Sequence, residues 1–269
     1  MSEIPKTAIV VPCYNESMRL RLEEFKNYLS DKTDVSFIFV NDGSTDNTLE
    51  IINQLCSVAP RQILCKNLEK NRGKAEAVRQ GFLMAIDLGF ANIGYWDADL
   101  SSPLYLIDRL SEKLERDGIT IVMGSRVRIL GCDIKRKAVR HYLGRVFATF
   151  ASLILDLYVY DTQCGAKIFK NNSELKTVFA HPFLVNWIFD VEILARFKVI
   201  RKSSNSNLLQ NTTVEYPLDE WADIGGSKIK FIDFFKAIME LIKIYLVLNF
   251  PIIKKKYMKK FRCEDQLSI

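Results

Sequence analysis

Residues 93–99 read Ile93-Gly94-Tyr95-Trp96-Asp97-Ala98-Asp99, an apolar, strand-prone run that passes directly into two carboxylates one residue apart. A short run of this kind, closed by turn-forming residues, reads as a buried strand of a sheet. Working outward, similar runs stand at Ala8–Val11, Val35–Val40, Gln62–Cys65 and Ile119–Met123. They are about 25 to 30 residues apart, the repeat of a strand plus a crossover helix. The spacing between them switches to helical. Met18, Leu22, Phe25 and Leu29 form one apolar face, Ala75, Val78, Phe82 and Ala85 a second, and Leu104, Ile107, Leu110 and Leu114 a third. This predicts an α/β fold, a mostly parallel sheet with helices packed on it.

The second half is less regular. It predicts a long helix from about Lys135 to Leu157, a strand near Ala166–Phe169, a helix around Asp190–Val199 and a strand near Thr213–Tyr216. After a turn-rich loop, Phe231, Phe234, Phe235, Ile238, Leu241, Ile242, Tyr245 and Leu246 follow amphipathic-helix spacing. The organisation expected is a catalytic domain over residues 1–229, then an amphipathic helix and polybasic tail over 230–269.

Composition narrows the function. With 269 residues, 48% of them hydrophobic, the chain can bury a sizeable core, and disorder is excluded for most of it. The net charge is +6, and Lys254, Lys255, Lys256, Lys259, Lys260 and Arg262 account for all of it. A basic excess confined to a tail argues against a nucleic-acid binder, whose cations line a groove or face. The six cysteines lack CxxC spacing and only two histidines are present, so a zinc site is not expected. No secretory signal and no run of about 18 apolar residues is visible. The expected setting is the cytoplasm, with reduced thiols filling the core.

Ligands of parallel α/β sheets bind at the carboxyl ends of the strands. There the chain carries Pro12-Cys13-Tyr14-Asn15-Glu16, Asn41-Asp42-Gly43-Ser44-Thr45-Asp46, Asn71-Arg72-Gly73-Lys74 and Asp97-Ala98-Asp99. The Asp42 segment alone also reads as a turn and helix cap. The Asp97/Asp99 pair is sharper. Two adjacent carboxylates after a buried strand need a neutralising cation, and hard oxygen ligands favour Mg²⁺ or Mn²⁺ bridging a diphosphate.

These segments carry a resemblance. "VVPCYNE", "VNDGSTDNT", "NRGKAEAVRQG", "WDADLSSP" and "VMGSR", in this order over roughly residues 7–126, resemble the GT-A family 2 glycosyltransferases. "DTQCGAKIF", "WIFDVEIL" and "WADIGGSKI" look like the polyprenyl-phosphate branch, the dolichyl-phosphate β-glucosyltransferases above all. The resemblance implies a Rossmann-like, mostly parallel mixed sheet and an inverting transfer of a sugar, glucose by preference, from a UDP-sugar to a polyprenyl phosphate at the cytoplasmic membrane face. It implies that Pro12, Tyr14, Glu16 and Asp42 hold base and ribose, that Lys74 lies near the nucleotide, that Asp97 supports nucleotide or sugar, and that Asp99 ligates the metal. Ser227 and Lys228 look like a mobile segment closing over the diphosphate. Arg126 and Arg140 look like ligands of the acceptor phosphate, suited to it by their planar fork of donors. Asp190 stands where relatives with hydroxyl acceptors keep a base, although an anionic phosphate acceptor needs none. Gly144 departs from the serine of related mannosyltransferases. The rivals are a family 2 transferase acting on a saccharide hydroxyl, with Asp190 essential, and a catalytically silent nucleotide-binding membrane protein. For the helix and tail, apolar insertion combined with a basic cluster suits a peripheral attachment to an anionic leaflet.

Overall fold

The computed structural model describes residues 6–135, 138–204, 208–222 and 231–250. Its main sheet has seven strands: β1 (Thr7–Cys13), β2 (Val35–Asp42), β3 (Ile63–Leu68), β4 (Asn92–Trp96), β5 (Ile121–Ser125), β7 (Ala166–Lys170) and β8 (Thr213–Pro217). Their spatial order is β3-β2-β1-β4-β7-β5-β8. All neighbours pair in parallel except β7, which runs antiparallel to both β4 and β5. Two short strands, β6 (Asp133–Lys135) and β9 (Glu220–Ala222), pair apart from this sheet. The expected mostly parallel mixed sheet is present.

Helices α1 (Leu22–Ser30), α2 (Thr48–Val58), α3 (Lys74–Asp87), α4 (Leu106–Leu114), α5 (Ala138–Leu155), α6 (Ser173–Ala180), α7 (Phe189–Ser204) and α8 (Phe231–Asn249), with one 3₁₀ turn at Leu209–Asn211, complete the described structure. Because β1 and β2 are covered on both faces, consecutive residues feed opposite cores. Val10, Ile38 and Val40 join Phe82, Phe169 and Phe179 on one side. Ile9, Phe37 and Phe39 join Phe25, Trp96 and Leu110 on the other. The rings of Phe82 and Phe179 stack with centroids 4.0 Å apart, fastening α6 to α3. Truncating such a buried phenylalanine costs about 3–5 kcal/mol. Sequence periodicity did not predict α6, whose eight residues are too few for a clear pattern.

Two features position the site. The strand order reverses between β1 and β4, the switch point at which open α/β sheets form their ligand crevice. In addition, α8 is tied to the start of α7. Ala237, Leu241, Ile244 and Val247 are buried along one side of α8. From the same helix, the Glu240 carboxylate accepts the backbone N–H groups of Asn186, Trp187 and Ile188 at 3.1, 3.0 and 3.0 Å. Donors at a helix start lack intrahelical partners, and an anion is favoured there. No helix of the described residues is long and apolar enough to cross a membrane.

Candidate active site

The loops after β1 and β2 are laced together. Asn15, with a left-handed φ of 51°, receives the Thr45 N–H on its side-chain oxygen at 2.9 Å and donates its own N–H to Ser44 Oγ at 3.0 Å. Glu16 N–H donates to Thr48 Oγ1 at 2.8 Å, and its carboxylate pairs with Arg19. Asp46 accepts from the Ser17 and Thr48 hydroxyls. Burial raises its carboxyl, but these hydrogen bonds outweigh that and bring it down to about 2. Tyr14 stands exposed beside a half-buried Pro12.

Asp42 is buried, and its two oxygens accept the N–H groups of Arg72 and Gly73, both at 2.8 Å. Burial pushes this carboxyl up while the two N–H groups oppose it. Asp42 thereby shapes the loop that opens α3 and presents Lys74. Gly43 lies beneath that loop with φ +62°, and a Cβ there would sit 2.5 Å from the Asn71 nitrogen. Only glycine meets both conditions.

Lys74, half exposed, donates to Asp97 Oδ1 at 2.5 Å. The turn carrying Asp97 and Asp99 is rigidly made. Trp96 Nε1–H donates to the Ser102 carbonyl at 2.6 Å, the Asp99 carboxylate accepts the Ser101 N–H at 3.0 Å, and Leu100 adopts a left-handed φ of 53°. A non-glycine residue at positive φ is uncommon and persists only where its surroundings enforce it. Asp97 N–H donates to the Gly165 carbonyl at 3.1 Å. Its carboxylate lies directly over Gly165, where a Cβ would collide with it.

Beneath this pair the candidate Asp190 sits in a network whose other members, Lys167 and Tyr95, the sequence reading had not assigned to the site. Lys167, fully buried on β7, donates to Tyr95 Oη at 2.9 Å, to the Cys164 carbonyl at 2.5 Å and to Asp190 Oδ1 at 2.7 Å. Three acceptors satisfy all three donors of an ammonium. Tyr95 donates its hydroxyl to the same Asp190 oxygen. Burial pushes the Asp190 carboxyl up to about 7 and the Lys167 amine down to about 8. The available signal was a lysine inside an otherwise apolar strand, Ala166-Lys167-Ile168-Phe169.

Arg126, just beyond β5, is gripped by Asp161. Its Nε and one terminal nitrogen donate to the two carboxylate oxygens at 2.6 and 2.9 Å, and its backbone N–H adds a third bond at 3.1 Å. The Trp221 ring lies 5.3 Å from the guanidinium carbon. Burial would raise the Asp161 carboxyl, but the Arg126 charge overrides it and holds the group well below the usual carboxylate range. The segment 161–165 therefore connects both halves of the site: Asp161 fixes Arg126 and Gly165 receives Asp97. Arg145 lies across the Tyr160 ring and donates to its carbonyl at 2.7 Å. Trp187 is 39% exposed, whereas Trp221 is buried. Arg140 lies on α5, but its side chain, like the whole of Ser227, Lys228 and the basic cluster 254–262, is outside the described residues.

Among the described residues no group of three or more His, Cys, Asp or Glu is arranged to cage a metal. Asp97 and Asp99 instead offer two hard oxygen donors on one turn. That suits a cation such as Mg²⁺ or Mn²⁺, which completes its shell with diphosphate and water oxygens.

A sheet reversing at β1/β4, with paired aspartates closing β4 and a lysine opening α3, forms a crevice suited to a phosphorylated ligand and a divalent cation. Residues 8–197 match the family described as "Glycosyl transferase family 2", and the chain belongs to that family. Among curated proteins it is similar to a dolichyl-phosphate beta-glucosyltransferase of Trichomonas vaginalis, 32% identical over 88% of this chain and 70% of that one. The Saccharomyces cerevisiae enzyme of the same name is 31% identical over 87% and 72%. The Homo sapiens one is 30% identical over 85% and 71%. Among solved structures, glucosyl-3-phosphoglycerate synthase from Mycobacterium tuberculosis, in complex with Mn²⁺, UDP and glucosyl-3-phosphoglycerate, shares the fold. Its TM-score is 0.63 at 16% identity, covering 91% of this chain and 80% of that one.

Proposed function

We propose that this chain transfers glucose, with inversion, from UDP-glucose to a polyprenyl phosphate of the dolichyl type, working peripherally at the cytoplasmic face of a membrane. The observation that carries the reading is the joining, through segment 161–165, of an Asp97/Lys74 donor cluster to the Arg126 guanidinium. The curated relatives bearing the dolichyl-phosphate glucosyltransferase name supply the substrate class.

The reaction makes a bond from a phosphate oxygen to the sugar's C1 and breaks the bond from C1 to the UDP oxygen. Pro12, Tyr14, Glu16 and Asp42 are assigned to base and ribose. Lys74, with Ser227 and Lys228, is assigned to the diphosphate, where negative charge grows as UDP departs. Asp99, with Asp97, would hold Mg²⁺ or Mn²⁺, whose charge offsets that of the leaving diphosphate. Arg126 and Arg140 are assigned to the acceptor phosphate. Arg126 meets Asp161 through Nε and one terminal nitrogen, so its second terminal nitrogen lies outside that pair. Asp190, the side chain a hydroxyl acceptor would call on, is buried and held by Tyr95 and Lys167, which favours an acceptor that is already anionic.

The surface supports a lipid acceptor. On α5, Tyr142, Val146, Phe150 and Leu153 form one exposed apolar stripe; on α8, Phe235, Ile238, Met239, Ile242 and Tyr245 form another. Exposed apolar stripes on two helices of one bundle suit insertion into a lipid interface, and the basic tail that follows suits an anionic leaflet. The test supplies UDP-glucose to the protein with anionic vesicles containing a polyprenyl phosphate. Protein floating with the vesicles and glucose entering the lipid fraction are expected. Protein left in the aqueous phase, with no lipid-linked glucose, contradicts the reading.

A further inference from the structure

The buried Lys167 has a geometry that packing alone does not require. Two lysines share the Tyr95 ring: Lys74 Nζ lies 5.8 Å from its centroid and Lys167 Nζ lies 5.2 Å away. Both are drawn to one carboxylate. Lys167 touches Asp190 directly, while Lys74 feels Asp190 as well as Asp97 and Asp99. The groups facing Asp190 are thus Tyr95 from β4, Lys167 from β7 and, at longer range, Lys74 from α3. A buried carboxylate without a cation beside it is costly and recruits the nearest one available. Here Lys167, only 1% exposed, fills that place, and Lys74, 43% exposed, stays at the open edge.

We propose that Lys167 is a positioning residue of the donor site: by occupying Asp190, it keeps the Lys74 ammonium at the crevice edge, where it meets the diphosphate of the nucleotide. The inference rests on the donor-site reading above and deepens it. It also gives Asp190 a role different from a base, as the anchor of the cation that leaves Lys74 to Asp97 and the crevice edge. The anchoring is reinforced locally, since Lys167 also clamps the Cys164 carbonyl, one residue before the Gly165 that supports Asp97.

The experiment is titration calorimetry of the full chain with UDP and with uridine, comparing wild type, Lys167→Met and the double variant Lys167→Met/Asp190→Asn. Lys167→Met leaves Asp190 without its cation, so Lys74 is drawn inward; UDP should bind about 10-fold more weakly or worse, with uridine affinity unchanged, because Lys74 acts on the diphosphate alone. A merely structural role would weaken both ligands together, and that result overturns the proposal. The double variant carries no unpaired buried charge and keeps the question open to test should the single variant not fold. Its UDP affinity should return to within about 3-fold of wild type, as expected for a coupled pair. A double variant still 10-fold weak for UDP overturns the proposal too. Wild-type protein that binds no UDP would instead overturn the donor-site reading, and this inference with it.

Discussion

Gly165→Ala is a small perturbation aimed at the centre of the site. The backbone there does not adopt a positive φ, so alanine meets no conformational barrier, and its effect comes from space alone. Even the farther Asp97 oxygen would stand 2.5 Å from the new Cβ, where an ordinary contact begins at 3.4 Å. The farther oxygen alone must therefore withdraw by about 0.9 Å (3.4 minus 2.5) and the nearer one by more, carrying with them the pairing to Lys74 and the aim of the turn that holds Asp99. Misplacement of a catalytic group by about 1 Å costs on the order of 10²-fold in rate. That corresponds to about 2.7 kcal/mol of lost transition-state stabilisation. Overpacking costs about 1–3 kcal/mol of fold stability in addition, which leaves a folded protein at 25 °C in the common case. The assay is kcat/KM for UDP-glucose beside a denaturant unfolding curve on the same sample. A folded variant within about 3-fold of wild-type kcat/KM would refute the claim that Asp97 must rest on Gly165.

Further substitutions probe the other parts. Asp99→Asn should lower transfer by about 10²-fold or more at any Mg²⁺ or Mn²⁺ concentration while leaving the unfolding curve unchanged, since an amide lacks the charge that holds a hard cation; near-normal, equally metal-dependent turnover would count against the assignment. Arg126→Lys keeps a charge but loses the fork that Asp161 grips, so use of the lipid phosphate should fall by about 10-fold with UDP affinity unchanged; an unchanged acceptor profile would remove Arg126 from that role. Acid should destabilise the fold through Asp46 and Asp161, both held below the usual carboxylate range. A depressed carboxyl contributes fully above its unfolded value of about 4 and loses that contribution as pH falls through its folded value. Unfolding free energies stepped from pH 5 to pH 2 should therefore drop, and drop less steeply in Asp161→Asn. That variant should already be about 3–5 kcal/mol less stable at pH 7, because it leaves the Arg126 charge buried without its partner.

What was legible in the sequence follows a physical divide. Parallel strands covered on both faces are continuous apolar runs, so β1, β2, β4 and β5 are visible as such, and the residues that end them fall at one edge. The Asp97/Asp99 pair stands out because two carboxylates directly after such a run are costly unless a cation neutralises them. The supporting network does not stand out. Lys167 and Asp190 are 23 residues apart in the chain, and Tyr95 is 72 from Lys167, so only the antiparallel insertion of β7 beside β4 brings them together. That pairing sets Lys167 opposite Tyr95, and the packing of α7 adds Asp190; nothing in local spacing announces either. Asp161 was hidden for the same reason: its partner Arg126 is 35 residues away, and both lie in irregular segments flanking strands. Glu240 sits between apolar positions of an amphipathic helix with no motif to mark it, yet it closes the start of α7 and so helps orient Asp190 in that helix's first turn.

The proposed acceptor is a phosphate, from which no side chain need take a proton. Purified protein is given UDP-glucose and, in parallel, a polyprenyl phosphate, the matching polyprenol and a free saccharide, and the products are weighed by mass spectrometry. A glucosylated polyprenyl phosphate, nothing from the alcohol or the saccharide, and residual transfer to the phosphate in Asp190→Asn are expected. Transfer to the alcohol or the saccharide, abolished by Asp190→Asn with UDP binding intact, would contradict a phosphate acceptor.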